Sequence, residues 1–146
     1  MTAEFASAVH ALVYLAHTAR VTPSAELAGN ICTNPARVRK IMAKLCRAGL
    51  AQAGEGRASG YHCIPDSEGI SLKAVAEALG EKPVSVGWRS GDADRDCRIC
   101  AGMAGVMDGV YGELNAVCLD KLSTITIGTI SEKIFLGSGD TNDETV

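Results

Sequence analysis

The sequence lacks any uninterrupted run of the ~18 to 20 apolar residues that a membrane-spanning helix needs. Residues 1–20 also lack the basic leader and the small-residue cleavage site of a secretory signal peptide. We therefore expect a cytoplasmic protein. The 146 residues are enough for one compact domain whose core is stable without disulfides.

Signatures of common enzyme classes are missing as well. The sequence contains neither a phosphate-binding loop nor a histidine-linked nucleophile pattern. The glycine-rich stretch GEGRASG, residues 54–60, lies outside the strand-to-helix context that a phosphate cradle requires. We predict that the protein is not an enzyme.

Cysteine is abundant, with six residues in the chain. A secreted disulfide scaffold would be shorter and richer in loops, and several of these cysteines follow helical core spacing, so we expect reduced thiols. Cys32, Cys46 and Cys63 are predicted to pack in the core. His10 follows the apolar pattern of the first helix and is predicted to be a core histidine.

Charge is divided unevenly along the chain. Residues 1–66 carry seven Lys or Arg against four acids, and the remainder carries seven against thirteen. Between residues 33 and 57 the count is six against one. A basic island in an acidic protein indicates a local contact with a polyanion.

Helical spacing and cap residues predict a helix-turn-helix in the basic part of the chain. An amphipathic helix over residues 2–20 is followed by a short helix in PSAELAGN, with Thr22 or Ser24 as its cap and Gly29-Asn30 as its end. Another helix begins after Thr33 or Asn34 and ends near residue 49. Its predicted buried face comprises Val38, Ile41, Met42 and Leu45.

Two short strands, near residues 50–53 and 61–64, flank a glycine-rich turn and predict a wing. A major groove admits one helix, whose first turns meet base edges while flanking cations meet phosphates. Lys44 and Arg47, farther along, are expected to contact the DNA backbone. The full set of predicted DNA contacts is Ser24, Thr33, Asn34, Ala36, Arg37, Arg39, Lys40, Lys44, Arg57 and Ser59.

We therefore predict a mainly α fold with a small β wing, made of a winged helix-turn-helix and a long dimerisation helix. Residues 1–80 are the predicted DNA-binding domain, 81–96 a linker, 97–136 the dimerisation helix with a short apolar tail segment, and 137–146 a mobile terminus. The apolar stripe of the long helix is Ile99, Met103, Met107, Tyr111, Leu114, Cys118 and Leu122. Glycines 102, 105, 109 and 112 share one face, which predicts either a close subunit interface or a helix broken at 105 or 109.

The stretch TNPARVRKIMAKLCRAGL, a wing ending in GYHCIP, and ISLKAVAEAL resemble the Rrf-two-type bacterial winged-helix transcriptional regulators, most closely the YwnA-like branch. The resemblance implies a homodimer with crossing long helices that binds a palindromic site on double-stranded DNA. Cluster-binding relatives carry three cysteines within about a dozen residues near the start of that helix. This chain offers Cys97 and Cys100, and then none until Cys118. Glu55 replaces an arginine of several relatives, so we assign the wing contact to Arg57.

Four interpretations of the pair in RDCRIC stay open. Cys97 and Cys100 are half of an iron-sulfur site that Cys118 of a second subunit helps to complete, a thiol-disulfide sensor, a zinc site, or two structural residues. In the sensor, Arg95 and Arg98 would favour a thiolate at Cys97. The predicted function is a DNA-binding regulator, a repressor, that is switched at these cysteines. The alternative is a regulator without a cysteine sensor that responds to a small ligand or a partner protein. Two roles of Trp88 stay open, since it either anchors the linker or lines an effector pocket.

Overall fold

Helices and one small sheet make up the protein, as seen in a computed structural model that describes residues 1–57 and 59–137. This arrangement confirms the predicted fold, mainly α with a small β wing. A short 3-10 helix at Ser67–Gly69 precedes α4. The elements in chain order are α1 (Ala3–Thr18), α2 (Ser24–Ile31), α3 (Pro35–Arg47), β1 (Ala51–Ala53), β2 (Tyr61–Cys63), α4 (Leu72–Leu79), α5 (Arg98–Ser123) and α6 (Ile127–Gly137).

Side-chain caps define where three of the helices begin. In each, a side-chain oxygen accepts a hydrogen bond from a backbone N–H of the first turn, which stabilises the helix by about 1 kcal/mol. These caps are Thr2, Asn34 and Ser71. Pro35, directly after the cap of α3, supplies the backbone angle of the first helical position.

The ends of α2 differ from the prediction. Pro23 occupies the N-cap without a side-chain bond, so neither Thr22 nor Ser24 caps the helix. The hydroxyl of Thr22 is buried and donates to the Arg20 carbonyl at 3.3 Å. The helix continues past Gly29-Asn30 to Ile31 and ends at Cys32 in the left-handed conformation, with φ 61°.

The core forms where α1, α2, α3 and α4 meet. All four residues of the predicted buried face of α3 are buried. His10, by contrast, is exposed and lies 2.7 Å from Asn30 Oδ1, because it sits at the edge of the apolar stripe of α1. Cys32 is exposed too, since it lies in the turn, while Cys46 and Cys63 are partly buried.

A pair of backbone hydrogen bonds attaches the wing to the start of α2. The strands β1 and β2 are antiparallel, and Thr22 exchanges N–H···O bonds of 2.8 and 2.9 Å with Tyr61. Gly60 permits this approach, because a Cβ there would lie 2.5 Å from the Thr22 carbonyl oxygen. The wing is therefore held beside the helix-turn-helix.

Helix α5 is continuous, so the predicted alternative of a break at Gly105 or Gly109 is wrong. It contains no buried residue. The predicted apolar stripe divides between two faces. Its half-buried members lie against their own chain and are Met107, Tyr111, Cys118 and Leu122, while Ile99, Met103 and Leu114 face outward. The outward apolar residues of α5 are Ile99, Met103, Val106, Val110, Leu114 and Val117, called the α5 stripe below.

The predicted tail segment is a helix, α6, that returns to the core. The Leu72 N–H donates to the Ile125 carbonyl, and the Ile127 N–H donates to the Ile70 carbonyl, at 2.8 and 2.9 Å. Ile127 is fully buried. No helix of the described part of the chain is both long and apolar enough to cross a membrane. The predicted mobile terminus lies outside the described residues from position 138 onward.

Candidate nucleic-acid interface

A tight turn connects α2 to α3 and fixes their relative orientation. The Thr33 N–H donates to the Ala28 carbonyl at 2.9 Å, and Asn34 Oδ1 accepts the Arg37 N–H at 2.9 Å. One lone pair of that oxygen is engaged in capping, whereas both amide N–H groups of Asn34 are free of described partners and can donate to a base. The first turn of α3 thus presents Ala36 and Arg37, both exposed, to solvent.

Three cations cover the outward face of α3. Arg37, Lys40 and Arg47 are exposed, and none of them forms an ion pair with any residue that the structure describes. They line an open cavity of about 400 Å³ beside the start of α1. Three uncompensated positive charges along one helix face suit a row of phosphates.

Lys44 differs from these cations because it is already paired. Its Nζ lies 2.6 Å from Glu4 Oε1 of α1, and both side chains are about one-third exposed. A phosphate would have to compete with this carboxylate for the Lys44 ammonium group. The contact of Lys44 with the DNA backbone stays a prediction. The sequence contains no local signal for the pair, since the partners are forty positions apart.

The wing side of the surface brings three other predicted residues together. Ser24, Arg39 and Ser59 line a small cavity of about 160 Å³, and Arg39 Nη1 lies 3.4 Å from Ser24 Oγ. Arg57 is exposed on the wing and has no ion pair within residues 1–57 and 59–137. Thr33 is half-buried in the turn. Their contacts with DNA stay predictions.

The cysteine pair lies where α5 begins. Cys97 is the exposed N-cap residue and Cys100 lies in the first turn. The pKa of the Cys97 thiol is lowered, first by the backbone N–H of Cys100 and then by that of Ile99. The thiol makes no capping hydrogen bond of standard geometry, so we attribute the lower pKa to the favourable field of these N–H groups on the thiolate.

The arginines predicted to favour this thiolate are not its cause. Arg95 instead pairs with Asp92 at 3.8 Å, and neither it nor Arg98 contributes to the lower pKa. The first helical turn therefore performs the role that was predicted for the arginine side chains.

The described residues of one chain do not fit an iron-sulfur cluster or a structural zinc. Both groups need at least three protein ligands in one place. Among the described residues, no three His, Cys, Asp or Glu side chains converge on a common point. Cys118 lies on the same continuous helix as Cys100, about 27 Å along its axis at ~1.5 Å per residue.

Iodoacetamide should alkylate Cys97 faster than Cys46 at neutral pH. The thiolate is the reactive form, the pKa of Cys97 is lowered, and burial raises the pKa of Cys46. As pH rises, the Cys97 rate should level off first, because its thiol is fully ionised at lower pH. Peptide mass spectrometry across a pH series measures both rates. Exposed Cys32 controls for access, and a Cys97 rate that levels off no earlier than that of Cys46 would contradict the assignment.

Known proteins resemble this fold over nearly its whole length. The Rrf2 family, described as iron-dependent transcriptional regulators, matches residues 1–133. A Lactobacillus plantarum protein assigned as a transcriptional regulator superposes with a TM-score of 0.78 at 20% identity, covering 97% of this chain and 100% of its own. IscR from T. potens superposes with a TM-score of 0.67 at 14% identity, covering 99% of this chain and 93% of its own.

CymR, the global cysteine regulator of B. subtilis, superposes with a TM-score of 0.65 at 14% identity, covering 90% of this chain and 95% of its own. No curated protein matches the sequence. At such identities the structures establish the fold, and the family match supplies the assignment. Its members are transcriptional regulators, which confirms that the protein is not an enzyme. The chain belongs to the Rrf2 family of iron-dependent transcriptional regulators.

Proposed function

We propose that the protein is a homodimer that binds a palindromic site on double-stranded DNA through α3 and the wing, and acts in the cytoplasm as a repressor. The observation that carries this proposal is the outward face of α3, where Arg37, Lys40 and Arg47 have no acidic partner among the described residues. A helix with free cations beside a wing matches the way such domains enter a major groove.

The α5 stripe supports the dimer. Six apolar side chains face outward on a helix with no buried residue, and leaving them in water costs about 25 cal/mol per Å² of apolar area. A second copy of the same helix would cover the stripe and place two α3 helices on one face of the duplex. Half-sites should then lie about 34–36 Å apart, one turn of DNA.

Chemistry at Cys97 and Cys100 supports a thiol switch. A hydroperoxide would oxidise the Cys97 thiolate to a sulfenic acid, and its own O–O bond would be reduced to an alcohol or water. The Cys100 thiol would then attack that sulfur, forming the disulfide and releasing water. Cys97 is the N-cap residue of α5, with extended backbone, and Cys100 lies in the first turn of the helix. A disulfide between them would therefore tie the end of the linker to the start of α5.

Selection of duplexes from a random-sequence library by the purified protein tests DNA binding. We expect enrichment of an inverted repeat with half-sites about 10 bp apart, and affinity that falls steeply between about 50 and 200 mM salt. Failure to enrich any sequence, together with binding that is independent of salt, would overturn the proposal.

The switch is tested on the selected duplex. Peroxide should weaken binding by about 5- to 150-fold, the usual range of coupling between two sites. Cys97→Ser should abolish the response, while Cys46→Ser, the matched control, should keep it. A full response in Cys97→Ser would exclude the thiol switch. A brown, iron-containing protein after anaerobic purification would instead favour a cluster shared between subunits, the alternative left open by the sequence.

A further inference from the structure

A cleft separates the linker from α5 and is not part of the DNA-binding face or the cysteine pair. It has a volume of about 290 Å³, with Trp88 and Arg89 on the linker side and Met107, Asp108 and Tyr111 on the helix side. Met103 of the α5 stripe also lines it. Ligand pockets usually measure about 300–1,000 Å³, so this cleft suits a ligand of one or two rings.

The linker wall of the cleft is held at both ends. Asn115 of α5 bonds the backbone of Val84 twice, at 2.7 and 2.6 Å. At the other end, the Asp92 N–H donates to the Cys100 carbonyl at 3.1 Å. Gly91, with φ +88°, permits this contact, because a Cβ there would lie 2.2 Å from the Cys100 oxygen. Because the linker is held at both ends, it forms a pre-formed wall of the cleft in the free protein.

The side chains of the cleft combine apolar walls with one polar pair. Arg89 donates a hydrogen bond to Asp108, so the charges at the polar end sum to zero. Trp88 is 76% exposed, although an indole has a large apolar surface whose burial is strongly favourable. A charged ligand would leave one member of the ion pair without a counterpart. A neutral ligand with an adjacent donor and acceptor would satisfy both.

We propose that this cleft binds a neutral, flat heteroaromatic molecule that carries an N–H or O–H donor next to a carbonyl. Its rings lie between Trp88 and the thioether and phenol of α5. Its carbonyl accepts from Arg89, and its donor group bonds Asp108. The linker wall ends at its hydrogen bond to the Cys100 carbonyl. A ligand bound in the cleft would therefore also restrain the position of the first turn of α5.

Titration with 2-quinolone, a two-ring lactam with these groups, tests the site in the full-length protein. The chain has one tryptophan, so its indole N–H gives a single assignable NMR signal. We expect a saturable shift of that signal with Kd below about 1 mM. N-methyl-2-quinolone, which lacks the donor, should bind at least about tenfold more weakly, because it loses the hydrogen bond that the N–H of 2-quinolone donates to the charged Asp108 carboxylate.

Ala104→Phe should abolish the shift, because Ala104 lines the cleft and a phenyl ring would fill it. Ala25→Phe, an exposed position of α2, is the matched control and should bind 2-quinolone normally. An unmoved indole signal up to about 1 mM probe, the outcome also expected if a second subunit covers Trp88, overturns the proposal. So would equal affinity for the two quinolones.

The link to regulation rests on the proposed function and is tested separately. Affinity for the selected duplex is measured with and without saturating 2-quinolone, and a change is expected in the wild type but not in Ala104→Phe. NMR binding without any effect on DNA affinity leaves the cleft as a ligand site and removes its regulatory role. If the protein binds no DNA under any condition, the proposed function is wrong, but the ligand site in the cleft is not affected by that result.

Discussion

The double substitution Arg37→Glu and Lys40→Glu is expected to abolish specific DNA binding. Both side chains are exposed on the outward face of α3 and have no acidic partner among the described residues, so each is free to meet a phosphate or a base. A contact of this kind contributes about 1.5–3 kcal/mol. Reversing two should lower affinity on the order of 100-fold or more, since ~1.4 kcal/mol corresponds to tenfold. Fluorescence anisotropy with the selected duplex measures the loss.

The matched control makes the same change in net charge at two positions outside α3. Lys82→Glu with Lys133→Glu reverses two exposed cations of the linker and α6 and should leave affinity within a few-fold. Equal losses in the two double variants would show that only net charge matters. Single variants identify which cations contact phosphates. Arg47→Ala should reduce the slope of log affinity against log salt concentration by about the amount of one phosphate contact. Lys44→Ala should reduce it less, because Glu4 already neutralises Lys44.

Replacing Val106 and Val110 with glutamate is expected to convert the proposed homodimer to monomers. Both belong to the α5 stripe and are 66% and 42% exposed in the single chain, so the substitution costs little within the monomer. At the interface of a homodimer it would bury two unpaired charges from each subunit, and each such charge costs several kcal/mol. The dissociation constant of the dimer should rise at least about 100-fold, as measured by analytical ultracentrifugation. Tight binding to the inverted repeat should be lost with it.

The glycines of α5 distinguish between its two candidate interface faces. A Cβ at Gly105 or Gly109 meets nothing within 4 Å in the chain, so alanine at both should stabilise the isolated helix by about 1 kcal/mol per site. If the α5 stripe forms the interface, this variant stays dimeric. The opposite result would place the interface on the glycine face. In that case the glycine variant dissociates into monomers, while the Val106→Glu, Val110→Glu variant remains a dimer.

Local chemistry explains why much of the fold was predictable from the sequence. Asn34, Pro35 and the apolar spacing of α3 act within a few residues of each other, and the helix begins and packs as predicted. The wing follows the same logic, because short strands and a glycine-rich turn specify a hairpin nearby in the chain.

Periodicity was less informative for α5. It identifies which positions of a helix are apolar, but it does not identify which neighbour covers each of them. Met107 and Tyr111 turn toward the linker, while Val106 and Val110 remain outward, and only the path of residues 81–96 decides between them. The same limit applies to His10, which was predicted to be buried and is exposed.

The sequence by itself determined the helix-turn-helix, the wing, the long helix and the basic face of α3, because caps, spacing and charge act over short separations. The tertiary structure alone decided that Glu4 engages Lys44 and that Ile127 completes the core. It also decided that the linker forms a cleft against α5. These contacts join residues far apart in the chain. Local sequence patterns do not specify which distant residues become neighbours when the backbone folds.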